Sequence, residues 1–303
     1  MKRLSDFVIK QSNNLLENKQ HAILYAVVLS MLPFTSWLSV ALVALLTLRK
    51  GARPGFEVLL PAIVFHSVPL MLMVPLDSVF INTVITYIPC YLAAIVLRNA
   101  MNWQAVFGVL FLQVVIACSL VQILIPNFIM EQFSQFQNIL AQHDEYMQLM
   151  TLSTDGLKSF NLAQLFFGIQ IFSVIMFTVI SLMCARSVQA RIFMPGGFRE
   201  EFLAFRSGRL SFLVLATVSL TAYYEFPLAI NLLPFILSYF VLSGFSLVYR
   251  IVDRKRQLKI VVLLFLFILM KPVFMLLALI VFGSLDSLFN FRLYLPKRVR
   301  EST

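Results

Sequence analysis

Residues 163–185 read AQLFFGIQIFSVIMFTVISLMCA, without one Asp, Glu, Lys or Arg. As a helix this stretch is about 34 Å long, enough to cross the roughly 30 Å hydrocarbon core of a bilayer. Arg186 follows directly. Similar apolar runs, several with basic residues at one end, recur along the chain. Runs fall near 55–74, 79–97, 104–126, 210–224, 228–249 and 260–283.

Composition agrees with this reading. The 303 residues are 60% hydrophobic and only 13% charged, and the mean hydropathy is +0.89. Soluble domains carry about 25% charged residues. Backbone groups in hydrocarbon must be paired internally. With 12 Pro, 30 Phe and little period-2 alternation, the expected class is all-α, a polytopic helical membrane protein. We expect about 8–9 hydrophobic segments in a single integral membrane domain over 1–303.

The count includes a short N-terminal pair. Residues 22–48 would make a helix of about 40 Å, too long for one straight span. Pro33 in LPFTSW interrupts it. The expected form is a hairpin, about 20–33 and 36–49; one tilted, kinked helix is the alternative. Residues 1–20 form a basic N-terminal segment. Residues 127–160 are polar and acidic, yet Ile129, Phe133, Phe136 and Leu140 recur at helical spacing. That predicts an amphipathic helix lying on the membrane or over the mouth of the bundle.

Charge gives the orientation. Most of the 24 Lys and Arg lie in the N-terminus, 49–53, 98–103, 186–209 and 250–259, while Asp77, Glu131, Asp144, Glu145, Asp155 and Glu225 lie between the other ends of the runs. Basic loops mark the cytoplasmic side. So 186–209 and 250–259 are expected inside and 127–160 outside. The basic tail, 292–303, breaks the alternation if every run is a span.

The net charge of +10 is explained by these flanking clusters, and nucleic acid is excluded as a partner. No Walker loop, H-E-x-x-H, G-x-S-x-G or C-x-x-C occurs. No catalytic set, cofactor or metal site is expected. Cys90, Cys118 and Cys184 lie within apolar runs, as packing residues do, and His21, His66 and His143 are scattered. MPGGF at 194–198 reads as a turn.

Polar groups at membrane depth are costly and so informative. Lys271 lies near the middle of 260–283, about 17 Å from either end. It must face the bundle interior, or the chain bends at Pro272. Lys271, His66, Gln113 and Asn231 are the candidate ligand-binding residues, with Gln170 beside them. Interhelical hydrogen bonds are the alternative, or for Lys271 a structural ion pair or a span boundary that lies elsewhere. In FGSLDSLFNFR, 282–292, Gly283 reads as a helix terminator. Asp286 then reads as the cap of a short interfacial helix with Arg292 at its far end. The alternative is that Asp286 pairs across the bundle with a basic residue of another loop, and so gates or holds an interface.

Several stretches together carry a resemblance. AILYAVVLSMLPFTSWLSVALVALLTLRKG (22–51), FLAFRSGRLSFLV (202–214), NLLPFILSYFVLSGFSLVYR (231–250, through Asn231 and Gly244) and FGSLDSLFNFR (through Gly283, Asp286, Phe291 and Arg292) resemble the YybS-like family of bacterial membrane proteins. Segment 127–160 has no matching motif, and Lys271 before Pro272 departs from the pattern. The resemblance implies a multi-pass protein of the bacterial cytoplasmic (inner) membrane. The family's hydrophobic organisation is similar to that of the substrate-binding membrane components of energy-coupling factor transporters, which capture vitamins and rely on separate ATPases. The implied activity is small-solute binding or transport through an outward-facing cavity, with no ATPase and no enzymatic step of its own. The alternative is a non-catalytic scaffold or assembly factor acting through the basic loops. The expected partners are the lipid bilayer, a small-molecule ligand and a cytoplasmic or membrane protein. Gly244, Gly283, Asp286 and Arg292 are expected to be structural or interface residues.

The orientation is directly testable. Single cysteines placed in 127–160 should react with an impermeant thiol reagent on intact cells, and those in 186–209 should react only after lysis. The reverse pattern would overturn the topology.

Overall fold

The computed structural model describes residues 17–32, 34–72, 76–142, 158–254 and 270–294. Most of segment 1–20, the stretch 143–157 with His143, residues 255–269 and the tail from 295 lie outside the described residues. Among the described residues the secondary structure is helical, with no strand. Six helices are long and apolar enough to cross a membrane, and a seventh span arises if one bent pair counts as a single crossing. This is the make-up of a multi-pass membrane protein.

The helices are α1 Lys19–Met31, α2 Ser36–Lys50, α3 Ala52–Met71, α4 Leu76–Ala100, α5 Trp103–Leu124 and α6 Phe128–Leu140. After them come α7 Ser159–Phe193, α8 Gly197–Ala204, α9 Arg209–Tyr223, α10 Pro227–Arg254 and α11 Pro272–Phe289, then a 3₁₀ turn at Phe291–Leu293. The bent pair is α8 and α9, at 54°. The chain divides into two compact units, Met1–Gln113 with Ser173–Glu201, and Val114–Phe172 with Phe202–Thr303. The division falls within α5, α7 and α8.

In the first unit, residues 22–48 form two helices rather than one kinked helix. Asn18 caps α1 by accepting from the Gln20 N–H at 3.0 Å. Phe34 adopts φ 64°, and the Thr35 hydroxyl closes the turn on the Leu29 and Leu32 carbonyls at 2.7 and 3.2 Å. Helix α2 is buried without interruption from Ser39 to Leu48. An apolar helix buried all round needs neighbours on every side, and α1, α3 and α4 pack against it. Polar side chains fix their register: Ser39 Oγ donates to the Ala26 carbonyl at 2.8 Å and accepts from Tyr87 at 3.1 Å. Helix α2 ends at Gly51, whose φ of 111° suits only glycine. Helix α4 ends at Met101, φ 50°, and Asn102 starts α5 by accepting from the Gln104 N–H at 2.9 Å.

In the second unit, α10 and α11 cross with their backbones almost touching. A Cβ on Gly244 would sit 2.0 Å from the Leu279 carbonyl oxygen, and one on Gly283 would sit 2.3 Å from that of Phe240. Small residues permit such approaches between spans. Gly283 is therefore not the terminator expected from the sequence. Helix α11 runs on to Phe289 and stops at Asn290, which takes the left-handed conformation at φ 49°. Helix α11 starts at Pro272 with Lys271 as its non-helical N-cap, so the chain breaks at Pro272, the second of the two forms expected there; residues 260–269 of that run lie outside the described residues.

Helix α6 realises the amphipathic expectation for the start of 127–160. Ile129 and Phe133 are buried, and Phe136 stacks on Phe166 with centroids 4.5 Å apart. Beyond it, Lys158 donates to Glu225 Oε2 at 2.6 Å across exposed surface. That hydrogen bond holds the Glu225 carboxyl below its ordinary range. The contact's contribution is full above the ordinary carboxylate pKa and fades as pH falls through the lowered one.

The glycine crossing predicts a graded stability series. Gly283→Ala should destabilise by about 1–3 kcal/mol, because the obstructing atom is backbone and cannot swing aside. Gly108→Ala meets nothing within 4 Å and should be neutral or stabilising by up to about 1 kcal/mol. Thermal unfolding of the two variants in detergent checks the contrast.

Candidate functional site: a basic cavity in the first unit

The ends of α2, α4 and α7 are where the first unit gathers cations. Arg49 and Lys50 close α2, and Arg98 lies in the last turn of α4. Helix C-termini favour positive charge. Arg49, Arg98 and Arg186 line one cavity of about 200 Å³. Leu48, Met101, Ala190, Phe193 and Met194 give it apolar walls, and Gln189, Gly197 and Glu201 complete it.

The three arginines are held differently. Arg186 is buried and fully engaged. Its Nε donates to Glu201 Oε2 at 3.1 Å, its Nη2 donates to Glu201 Oε1, and its Nη1 donates to Gln189 Oε1 at 2.6 Å. The indole of Trp103 also donates to Glu201 Oε2, at 3.3 Å. Two N–H donors on two carboxylate oxygens is the fork geometry that makes Arg–carboxylate pairs strong. Glu201 thereby ties α8 to α7 and to the start of α5.

Among the described residues Arg98 makes one bond, from Nη1 to the Thr47 carbonyl at 3.2 Å. Gly51 gives it room: a Cβ there would lie 2.9 Å from Arg98 Nη1. Arg49 lays its guanidinium over the Phe193 ring, 3.8 Å from the centroid. Stacking uses the face of the guanidinium and leaves its in-plane N–H groups open. Two of the three cations thus keep hydrogen-bonding capacity. Glu201 is neutralised by Arg186, so the lining carries a net charge of about +2.

The residues singled out from sequence lie elsewhere. His66 is half-buried, its Nδ1 3.1 Å from the Ser30 carbonyl and its ring edge-on to Tyr87 at 5.4 Å. Hydrogen bonding between helices accounts for it. Gln113 and Asn231 have buried amide groups without a hydrogen-bond partner. Asn231 is only 1% exposed and packs where a Cβ on Gly168 would strike its carbonyl oxygen at 2.7 Å. Gln170 and Lys271 are exposed. None of these residues lines the cavity. The cavity is lined from 186–209 by Arg186, Gln189, Ala190, Phe193, Met194, Gly197 and Glu201, and by no residue of 127–160. Arginines ending α2 and α4 cannot close on one another without like-charge repulsion, so the space between them stays open.

Comparison with protein-family models, curated proteins and solved structures finds no match.

Asp286 and Arg292 form a structural centre in the second unit. Arg292 Nε donates to Asp286 Oδ2 at 2.8 Å, and both side chains are buried. Arg292 Nη1 donates to the Leu203 carbonyl at 2.7 Å and Nη2 to Ser246 Oγ at 3.3 Å. Asp286 is inside α11, so it does not cap a new helix, and the buried pair replaces the interfacial anchor. Burial lowers the Arg292 guanidinium from its ordinary value, Asp286 pushes it back up, and Arg250 and Arg206 lower it further. Arg206 bridges to the same helix end through the Asp286 and Ser287 carbonyls, at 2.9 and 2.8 Å.

Asp286→Asn should leave a buried cation without its counter-charge and destabilise by roughly 3–5 kcal/mol. The double variant Asp286→Asn, Arg292→Met should recover part of that loss. Equal unfolding temperatures for Asp286→Asn and the parent protein would refute the pairing.

Proposed function

We propose that the protein is an integral membrane binding or transport component for a small anionic solute, with no ATPase of its own. The observation that carries this reading is the cavity lined by Arg49 and Arg98, whose guanidinium donors are largely uncommitted. Open donors on a preformed, partly apolar pocket are what a small ligand site requires. The resemblance to YybS-like proteins, and through them to vitamin-capturing membrane components, points to the same class.

We read 186–209 and 250–259 as cytoplasmic and the host membrane as a bacterial inner membrane, from the distribution of basic residues and from the same resemblance. The cavity then opens toward the cytoplasm. Counting α1 and α2 as separate segments keeps the total at eight to nine. The scaffold reading has less support, because Arg186 and Arg206 of the 186–209 loop are committed to bonds within the fold.

The test is ligand-dependent stabilisation of purified protein. A bound anion at 100 times its Kd should add about 2.7 kcal/mol to stability. Neutral and cationic metabolites should add nothing. Arg49→Gln and Arg98→Gln should abolish the gain. Stabilisation by none of a broad panel of small anions would sink the proposal.

A further inference from the structure

We infer that the group recognised in this cavity is a phosphate, carried either on a soluble phosphomonoester or on a membrane lipid headgroup. This rests on reading the cavity as a binding site and adds the chemistry of its ligand.

Charge and donor number separate phosphate from carboxylate. A guanidinium offers about five N–H donors. Arg98 uses one nitrogen on Thr47, and Arg49 is held by its face on Phe193. A single carboxylate presents two oxygens and one charge. A phosphomonoester presents three oxygens and, with its second pKa near 6, a charge close to −2 at neutral pH. That matches two free guanidinium groups approaching from two helix ends. Arg fixes phosphate with directional forks, where Lys would act as a point charge.

Glu201 sets where the anion lies. Its carboxylate already occupies Arg186, so that pair offers an anion no net charge. The phosphate therefore sits with Arg49 and Arg98, away from the Arg186–Glu201 pair. Size limits the rest of the ligand. A cavity of about 200 Å³ is smaller than the roughly 300–1,000 Å³ of drug-sized sites. It accommodates a phosphate with a short body, not a nucleotide. Met101, Phe193 and Met194 at the wall are 59%, 41% and 56% exposed. They offer an apolar shelf for a carbon skeleton or for the glycerol end of a lipid.

The experiment uses the full chain in nanodiscs of phosphatidylcholine. Glycerol phosphate, inorganic phosphate and the dicarboxylate malonate are titrated while the unfolding temperature is followed. A parallel sample replaces part of the lipid with phosphatidic acid. Arg49→Gln, Arg98→Gln, Arg49→Lys and Arg98→Lys are compared with Arg191→Gln, an exposed arginine outside the cavity with the same change in charge. We expect glycerol phosphate to stabilise the protein with an apparent Kd at least about tenfold below that of malonate. Each Gln variant should weaken it at least about tenfold, as loss of a charge-assisted bond requires. The Lys variants should weaken it too, and Arg191→Gln should not.

Stabilisation by phosphatidic acid alone, lost in the same variants, would keep the phosphate assignment, place its source in the membrane and overturn the soluble-solute reading. Malonate binding as tightly as glycerol phosphate would overturn the phosphate assignment and leave the anion reading standing. An unaltered protein that responds to none of these ligands would overturn the phosphate assignment. So would binding that Arg191→Gln weakens as much as the cavity variants do. If the Gln variants do not fold, the malonate comparison on the unaltered protein still decides the class.

Discussion

A carboxylate with no exposure to solvent, at the end of a membrane-spanning helix, has to find a cation or lose its charge. Asp286 meets this constraint in the second unit, and much of that unit's local structure follows from it. The crossing of α10 and α11 at Gly244 and Gly283 brings the backbones too close to admit water. Asp286, less than one turn beyond Gly283, is sealed by the same contact. Arg292 reaches it because Asn290 turns the chain out of the helix in the left-handed conformation. The 3₁₀ turn then carries the guanidinium back toward α11. A buried pair of this kind is seldom strongly stabilising in itself, since desolvation offsets most of the attraction. Its consequence is specificity: the arrangement is tolerable only with both partners in place.

The pair also organises the non-helical segment before α9. Residues 205–208 fall outside regular helix, so their buried backbone groups need partners other than the helical ladder. Side chains around Asp286 supply the partners. Ser243 Oγ accepts from the Ser207 N–H at 3.0 Å, Ser287 Oγ donates to the Gly208 carbonyl at 2.6 Å, and Ser246 Oγ donates to the Phe202 carbonyl at 2.6 Å. Arg206 and Arg292 complete the set through carbonyls. The bend between α8 and α9 is therefore a satisfied structure, built from serines and arginines that a continuous helix would not need.

The spans were legible because twenty apolar residues in a row have few other uses, and the break at Pro33 was legible because proline disrupts a helix locally. The amphipathic face of α6 followed from spacing alone. Asp286 and Arg292 drew attention as charges beside an apolar run, but their roles were misread. Gly283 looks the same in sequence whether it ends a helix or lets another helix approach, and only the partner's carbonyl distinguishes the two. Lys271 was left between mid-span and a bend at Pro272, because hydropathy does not see that Pro272 starts the helix. The cavity was illegible for a different reason. Arg49, Arg98 and Arg186 each close or follow an apolar run, which is also where topology requires them. One further signal was available: Glu200 and Glu201 are adjacent acids in a segment otherwise rich in arginine, and acids among cations tend to pair with them.

Topology alone does not account for the geometry of those arginines. A basic residue that only marks the cytoplasmic side satisfies its role anywhere in water or among headgroups, and gains most by full hydration. Arg49 and Arg98 are exposed, yet Arg49 places its guanidinium carbon 3.8 Å from the Phe193 ring centroid, and Arg98 donates to the Thr47 carbonyl beside a glycine that makes room for it. Both restraints cost side-chain entropy, and neither brings a carboxylate. The one carboxylate at the cavity is engaged by Arg186 and the Trp103 indole. The unit thus neutralises the cation it buries and leaves two partly ordered cations facing a common space. Such an arrangement lowers the ordering cost of binding before any ligand arrives, and it gives an anion a reason to settle there.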